Sequence, residues 1–364
     1  MVNGDPAGYL LAYFTSEAAE NGEQVRFAVS TAADPISFTP VAGGKPVLES
    51  NIGEGGVRDP FLVRDGGRIL LIATDLRIGP GGDWAGSVRN GSRSIIAWES
   101  RDLVNWSEPW LSEIAPPEAG NAWAPKAYWS QERSTWLVYF ASALYSGPER
   151  GRGEYQRIMV ASTPDFRTYE DAEIYLDRGH DVIDSAFLQV GGEWHRFSVD
   201  AEPVIGGADV RGFVYQECGQ SLDDPSYRPV RAGVGRPDLA HGEGPAVTSA
   251  LNGAGAWLLI DEFGLRGYRL FHAKDPASGE WTPIPDAVLP AGARHGSLLP
   301  ITAEERDRLL RRRRRRDALP RLFVDGTSHE RLILSGTGRR NGGNDTRRGE
   351  SRRGVADDGF ERDQ

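Results

Sequence analysis

The chain has 364 residues, 39% of them hydrophobic, and 45 glycines, which together excludes disorder throughout. Its single cysteine, Cys218, excludes an intrachain disulfide framework and a cysteine-based zinc site. The formal net charge of -10 is uneven: from Arg311 onward 15 arginines face nine acids, a net of +6, so residues 1–310 carry -16 and exclude a general nucleic-acid binder.

No stretch approaches the ~18 continuous apolar residues of a membrane span. The start, Met1-Val-Asn-Gly-Asp-Pro6, has neither a basic n-region nor an apolar h-region. The expectation is a cytoplasmic protein without nucleic-acid or membrane partners; secretion stays open for a trimmed chain, and the sequence does not speak to oligomeric state.

In chain order, strand-like runs recur in groups. The first group, at 9–14 and 25–29, lacks an innermost strand and ends in Asp34-Pro-Ile-Ser-Phe38. The second has 68–73 and 94–98, then Asp102-Leu-Val-Asn-Trp106. The third has 135–140 and 158–161, then Asp165-Phe-Arg-Thr-Tyr169. The fourth has 193–197 and 212–215, then Asp223-Asp-Pro-Ser-Tyr227, and the fifth has 256–260 and 268–271, then the looser Asp275-Pro-Ala-Ser-Gly-Glu-Trp281. Each copy reads as several short strands, a turn, and an aromatic-bearing outer strand. Five copies of 50–70 residues predict an all-β, five-bladed β-propeller. The strand left over near 294–300 is expected to pair with the first copy and close the ring. Thr302-Ala-Glu-Glu305 opens a short helix over 302–310 as a capping box. The domains are then an N-terminal extension at 1–8, the propeller at 9–310, and a disordered Arg-rich tail at 311–364.

Residues at the starts of innermost strands converge on one end of a propeller channel. Those positions read Arg58-Asp59-Pro60-Phe61, Trp123-Ala-Pro-Lys126, Ile183-Asp184-Ser-Ala-Phe187, Gly242-Glu243-Gly244-Pro245 and Arg294-His295-Gly296-Ser297. Taken singly, Asp-Pro and Gly-Pro are ordinary turn chemistry, Asp184 a backbone cap, and His295 an interior histidine. Together, three carboxylates at equivalent points of successive repeats suit glycoside hydrolysis.

In this order the five motifs resemble glycoside hydrolase family 43, over about residues 9–302. The resemblance implies Asp59 as the general base on water, Glu243 as the general acid on the leaving oxygen, and Asp184 as the residue that orients Glu243 and raises its pKa. It implies inversion, and so a base–acid separation of about 6.5–9.5 Å. Trp123 would stack on a sugar face, with Arg58, Asp75, Trp84 and His295 bordering the pocket. The loops at 76–93 and 143–155 would wall off a groove for exo action. One departure is Lys126, which follows Trp-Ala-Pro where the family often has an acid; it leaves the substrate class open. Some relatives hold calcium or another ion in the channel through water near His295. The sequence shows no carboxylate cage for one, so no cofactor is required and a channel calcium is the metal alternative.

The implied function is an inverting hydrolase of terminal sugars. A carbohydrate bearing α-L-arabinofuranosyl units comes first, β-D-galactofuranosyl or β-xylosyl units next. A retaining fructosidase built on Asp5, Asp59 and Glu217 is a rival, as is a non-catalytic carbohydrate-binding propeller.

Overall fold

The computed structural model describes residues 4–147, 149–151, 154–200 and 212–317. The strands, in chain order, are β1 (Pro6–Phe14), β2 (Arg26–Ser30), β3 (Phe38–Pro40), β4 (Val57–Asp65), β5 (Arg68–Asp75), β6 (Ser94–Ser100), β7 (Trp110–Glu113), β8 (Trp123–Ser130), β9 (Thr135–Ala143) and β10 (Gln156–Thr163). They continue as β11 (Glu173–Leu176), β12 (Val182–Val190), β13 (Glu193–Asp200), β14 (Phe213–Gly219), β15 (Arg228–Arg231), β16 (Glu243–Ser249), β17 (Ala256–Glu262), β18 (Gly267–Ala273), β19 (Thr282–Pro283) and β20 (Arg294–Thr302). Helix α1 (Trp84–Asn90) follows β5, and α2 (Ala303–Asp317) follows β20.

These form five four-stranded sheets, ordered β4-β5-β6-β7, β8-β9-β10-β11, β12-β13-β14-β15, β16-β17-β18-β19 and β20-β1-β2-β3. The first-named strand of each sheet touches its counterparts in the two neighbouring sheets, so β4, β8, β12, β16 and β20 surround the axis of a five-bladed propeller. The ring closes as expected: β20 runs antiparallel to β1, with Thr302 opposite Pro6 and Arg294 opposite Phe14.

The near-continuous apolar runs of the second strands follow from this stacking, because a strand between two blades buries both faces. Leu71 packs with Leu10, Phe27 and Leu299 towards the blade closed by β20. Its neighbours Leu70 and Ile72 pack with Val138, Phe140 and Met159 towards the next blade. Three further clusters fill the other interfaces, around Tyr139 and Phe187, Phe197 and Ile260, and Tyr9 and Trp257.

Three details differ from expectation. The acid-to-aromatic repeat is mostly a turn before the outer strand: Trp106, Tyr169, Tyr227 and Trp281 precede β7, β11, β15 and β19, and only Phe38 starts its strand. The acid holds that turn: Asp102 Oδ1 accepts the N–H groups of Val104 and Asn105, and Asp165 Oδ1 those of Arg167 and Thr168. β1 starts at Pro6, inside the expected extension. The capping box forms reciprocally: Glu305 N donates to Thr302 Oγ1, and Thr302 N to Glu305 Oε2. α2 then runs through the arginines to Asp317, seven residues past the expected end, as suits a good helix former. The rest of the expected tail, 318–364, lies outside the described residues.

Candidate active site

The mouths of the inner strands share one backbone device. Pairing with the second strand slips between Arg58 and Phe61, Trp123 and Lys126, Ile183 and Ala186, and Glu243 and Ala246. At each slip one residue is left-handed: Asp59 (φ 52), Ala124 (φ 51), Asp184 (φ 59) and Gly244 (φ 58). In β20 the register shifts between Arg294 and Gly296, leaving His295 as the extra residue. Bulges of this kind re-aim side chains. Three non-glycine residues at positive φ mark a backbone held against its preference. Asp59, Asp184 and His295 are therefore equivalent. Glu243 is not: it stands one place earlier, level with Arg58 and Trp123, which corrects the expectation of three equivalent acids.

The bulges bring the predicted residues together around His295. Its Nδ1 lies 2.9 Å from Asp59 Oδ1 and 3.9 Å from Asp184 Oδ2. Its Nε2 lies 2.9 Å from Glu243 Oε1 and 3.3 Å from Asp261 Oδ2. Thr74 Oγ1 donates to Asp59 Oδ2 at 2.6 Å and accepts Ala124 N–H at 2.8 Å. Gly244 N donates to Asp184 Oδ2 at 2.9 Å. Arg294 bonds Glu243 Oε1 (3.0 Å), Asp261 Oδ2 (2.8 Å) and Glu17 Oε2 (3.4 Å). An added Cβ on Gly244 would stand 2.5 Å from His295 Cδ2, so only glycine fits there.

This geometry sets the charge states. Burial pushes the Asp59 carboxyl up, but the hydrogen bond and charge of His295, with Arg58 and the Thr74 hydroxyl, hold it well below the usual carboxylate range. Burial opposes a charged imidazole, yet Glu243, Asp261 and Asp59 raise His295 well above its ordinary value. Burial raises Asp184, against His295 and aided by Glu243 and Asp59. Burial also pushes Asp261 up, but His295 and Arg294 bring it below the ordinary value.

The expected pocket residues divide. Trp123 and Trp84 meet edge-on with centroids 6.2 Å apart, and Trp84, on α1, is 38% exposed. Arg58 is buried, its guanidinium stacked on Phe14 (4.5 Å) and Trp84 (4.9 Å) and bonded to Glu23 Oε1 (3.0 Å). Lys126 is buried, within electrostatic reach of Asp184 and Asp59. Asp75 is buried too, but its Oδ1 accepts Glu54 N–H and its carboxylate packs against Gly53, so it holds a loop in place. The loops at 76–93 and 143–155 are tied together by Arg150, which donates to Arg89 O at 2.6 Å.

The sequence reading missed Arg294, Asp261, Thr74, Glu17 and Glu23 as site residues. A signal existed for one of them: an acid recurs near the ends of the second strands, Asp75 and Asp200 as the last residues of β5 and β13, and Asp261 one place before the end of β17, opposite Glu243.

One group of potential metal ligands lies here among the described residues: Asp184, Glu243 and His295, with one donor atom each within 4.8 Å of one another. Both His295 nitrogens already face carboxylates and the ring favours its protonated form, so the arrangement does not fit His295 as a direct metal ligand.

The fructosidase rival fails on placement. Glu217 lies on β14, a third strand away from the axis, ion-paired with Arg196 and Arg178. Asp5 adjoins Pro6, which pairs with Thr302 at the end of β20 away from His295.

Residues 5–307 match the sequence model of a glycoside hydrolase family 43-related family, described as "Probable glycosyl hydrolase domain". A curated relative, an α-L-arabinofuranosidase of Bifidobacterium longum subsp. longum, is 31% identical over 217 residues, covering 55% of this chain and 20% of that protein. The match thus spans a fifth of that relative's length. Among solved structures, an α-L-arabinofuranosidase of Podospora anserina in complex with cellotriose is similar at 15% identity and TM-score 0.45, over 65% of this chain and 70% of that one. The catalytic domain of a Coprinopsis cinerea α-L-arabinofuranosidase is similar at 14% identity and TM-score 0.46, over 68% and 72%.

Proposed function

This chain belongs to the glycoside hydrolase family 43-related family, and from that premise we propose that it is an inverting, exo-acting glycoside hydrolase releasing terminal α-L-arabinofuranosyl units. The observation that carries the reading is the bridge through His295. Asp59 Oδ1 and Glu243 Oε1 each lie 2.9 Å from opposite nitrogens of one imidazole. Two oxygens so held stand on opposite sides of the ring, separated by no more than about 8 Å; an inverting pair needs roughly 6.5–9.5 Å to leave room for sugar and water.

Asp59 is held ionised, as a base must be, and Thr74 and His295 fix its orientation. Glu243 spends Oε1 on Arg294 and His295, so Oε2 is the oxygen that would carry the proton to the leaving group. Asp184 acts through the backbone: it accepts the N–H that follows Glu243 and so positions the acid's main chain. The exposed Trp84 and its partner Trp123 offer the apolar surface for a sugar face. The name of the Bifidobacterium relative supports the choice of sugar.

The test is hydrolysis of nitrophenyl α-L-arabinofuranoside, β-D-galactofuranoside and β-D-xyloside by the wild type, Asp59→Ala and Glu243→Ala. Arabinofuranoside hydrolysis lost in both variants, with the anomeric configuration of the product inverted by NMR, is the expected result. Activity on another sugar replaces the substrate and keeps the mechanism. Activity that survives both substitutions overturns the catalytic pair, and silence from a folded wild type favours a binding propeller.

A further inference from the structure

Most acids around His295 have a bonded cation. Asp59 has His295, Glu243 and Asp261 have Arg294 and His295, and Glu23 has Arg58. Asp184, 4% exposed, accepts Gly244 N–H, but its nearest bonded-type cation is His295 at 3.9 Å. A buried carboxylate whose nearest cation is that far off is costly.

Lys126 is the remaining cation. It is 2% exposed and stands three residues into β8, just past the bulge, while Asp184 and Asp59 occupy the bulges of β12 and β4. Its Nζ lies 5.9 Å from the Phe61 ring centroid. Among the described residues no carboxylate comes within ion-pair distance of it, so the ammonium acts on Asp184 and Asp59 across a gap. These acids, with Glu243 and His295, include the one cluster in the described residues with the spacing of a metal site.

We propose that Lys126 is a tethered cation in the central channel, doing for Asp184 and Asp59 what a bound divalent metal would otherwise do, so that the protein needs no channel metal. It is a positioning residue, not a catalytic one. Burial lowers its proton affinity, while the charges of Asp184 and Asp59 favour the ammonium. His295 supports the same arrangement from β20: with both nitrogens against carboxylates, it too serves as a cation.

The experiment compares thermal unfolding of the full chain in EDTA and in millimolar calcium, for the wild type, Lys126→Met and Lys126→Gln. A ligand that binds only the folded state raises Tm. The expected result is a wild-type Tm that is the same in both buffers. Both variants melt lower in EDTA and regain several degrees in calcium, because a cation then enters the space the ammonium filled. A calcium-dependent rise in the wild type equal to that of the variants overturns the proposal. So do variants that fail to respond to calcium, or that fold in neither buffer. None of these readouts uses catalysis, so the proposal and the assignment of the sugar fail separately.

Discussion

The Nδ1 of His295 lies 2.9 Å from Oδ1 of Asp59, joining residues 236 positions apart in the chain. The contact binds the last strand of the propeller to the first complete blade at the point where water would be activated.

His295→Gln is expected to lower kcat and kcat/KM together, by about 100-fold or more, since Asp59 and Glu243 both lose their shared orienting group. Stability has a defined sign. The folded pKa of His295 is raised, so its contribution is full below the unfolded value of about 6.5 and fades as pH rises through the higher folded value. In urea titrations the gap between wild type and variant should be wider near about pH 6 than near about pH 9. A gap independent of pH would remove the imidazolium from the account.

Thr74→Val keeps the shape but deletes the donor to Asp59 and leaves Ala124 N–H without its acceptor. The expected cost is about 1–3 kcal/mol in denaturant unfolding. Losing a donor raises a carboxylate pKa, so the acidic limb of the kcat/KM profile should move to higher pH. A limb that stays in place would mean Asp59 does not control it.

Gly244→Ala places a Cβ against the His295 ring and imposes left-handed backbone on alanine. About 1–2 kcal/mol of stability should be lost from the backbone alone. The larger effect is expected in kcat, through displacement of His295. Gly67→Ala, where an added Cβ meets nothing within 4 Å, is the control and should leave turnover as it is.

Glu217→Gln tests the outer network. Arg196 is wholly buried and bonded to Glu217 Oε2 at 2.6 Å, so neutralising that partner should cost about 3–5 kcal/mol. Below its melting temperature the variant should turn over substrate at the wild-type rate. Loss of turnover in the folded variant would return Glu217 to consideration as a catalytic residue.

The blades and the mouth were legible because both repeat. Apolar second strands recur in copies of 50–70 residues, and short motifs mark the starts of the inner strands, among them those with Asp59, Asp184 and His295. Legibility stopped at cross-strand register. Nothing in the string Gly-Glu-Gly-Pro shows that Gly244, not Glu243, takes the left-handed place, since Asp occupies it in two other blades. Asp261 and Arg294 were missed for a related reason: what joins them is the pairing of β17 and β16 beside β20, a contact between blades that no local pattern encodes. The aromatics of the acid-to-aromatic repeat were placed on strands because hydrophobicity marks packing and does not distinguish a turn from the strand after it.

The closure of the ring has a consequence for how the protein is made. β20 is the last strand of the propeller to be synthesised, and it carries both Arg294 and His295. Until it docks along β1, Asp59 and Glu243 lack His295, and Glu243 and Asp261 lack Arg294, so a nascent chain with four finished blades has the acids but an incomplete site. Architectural completion and chemical competence therefore arrive together, in one strand.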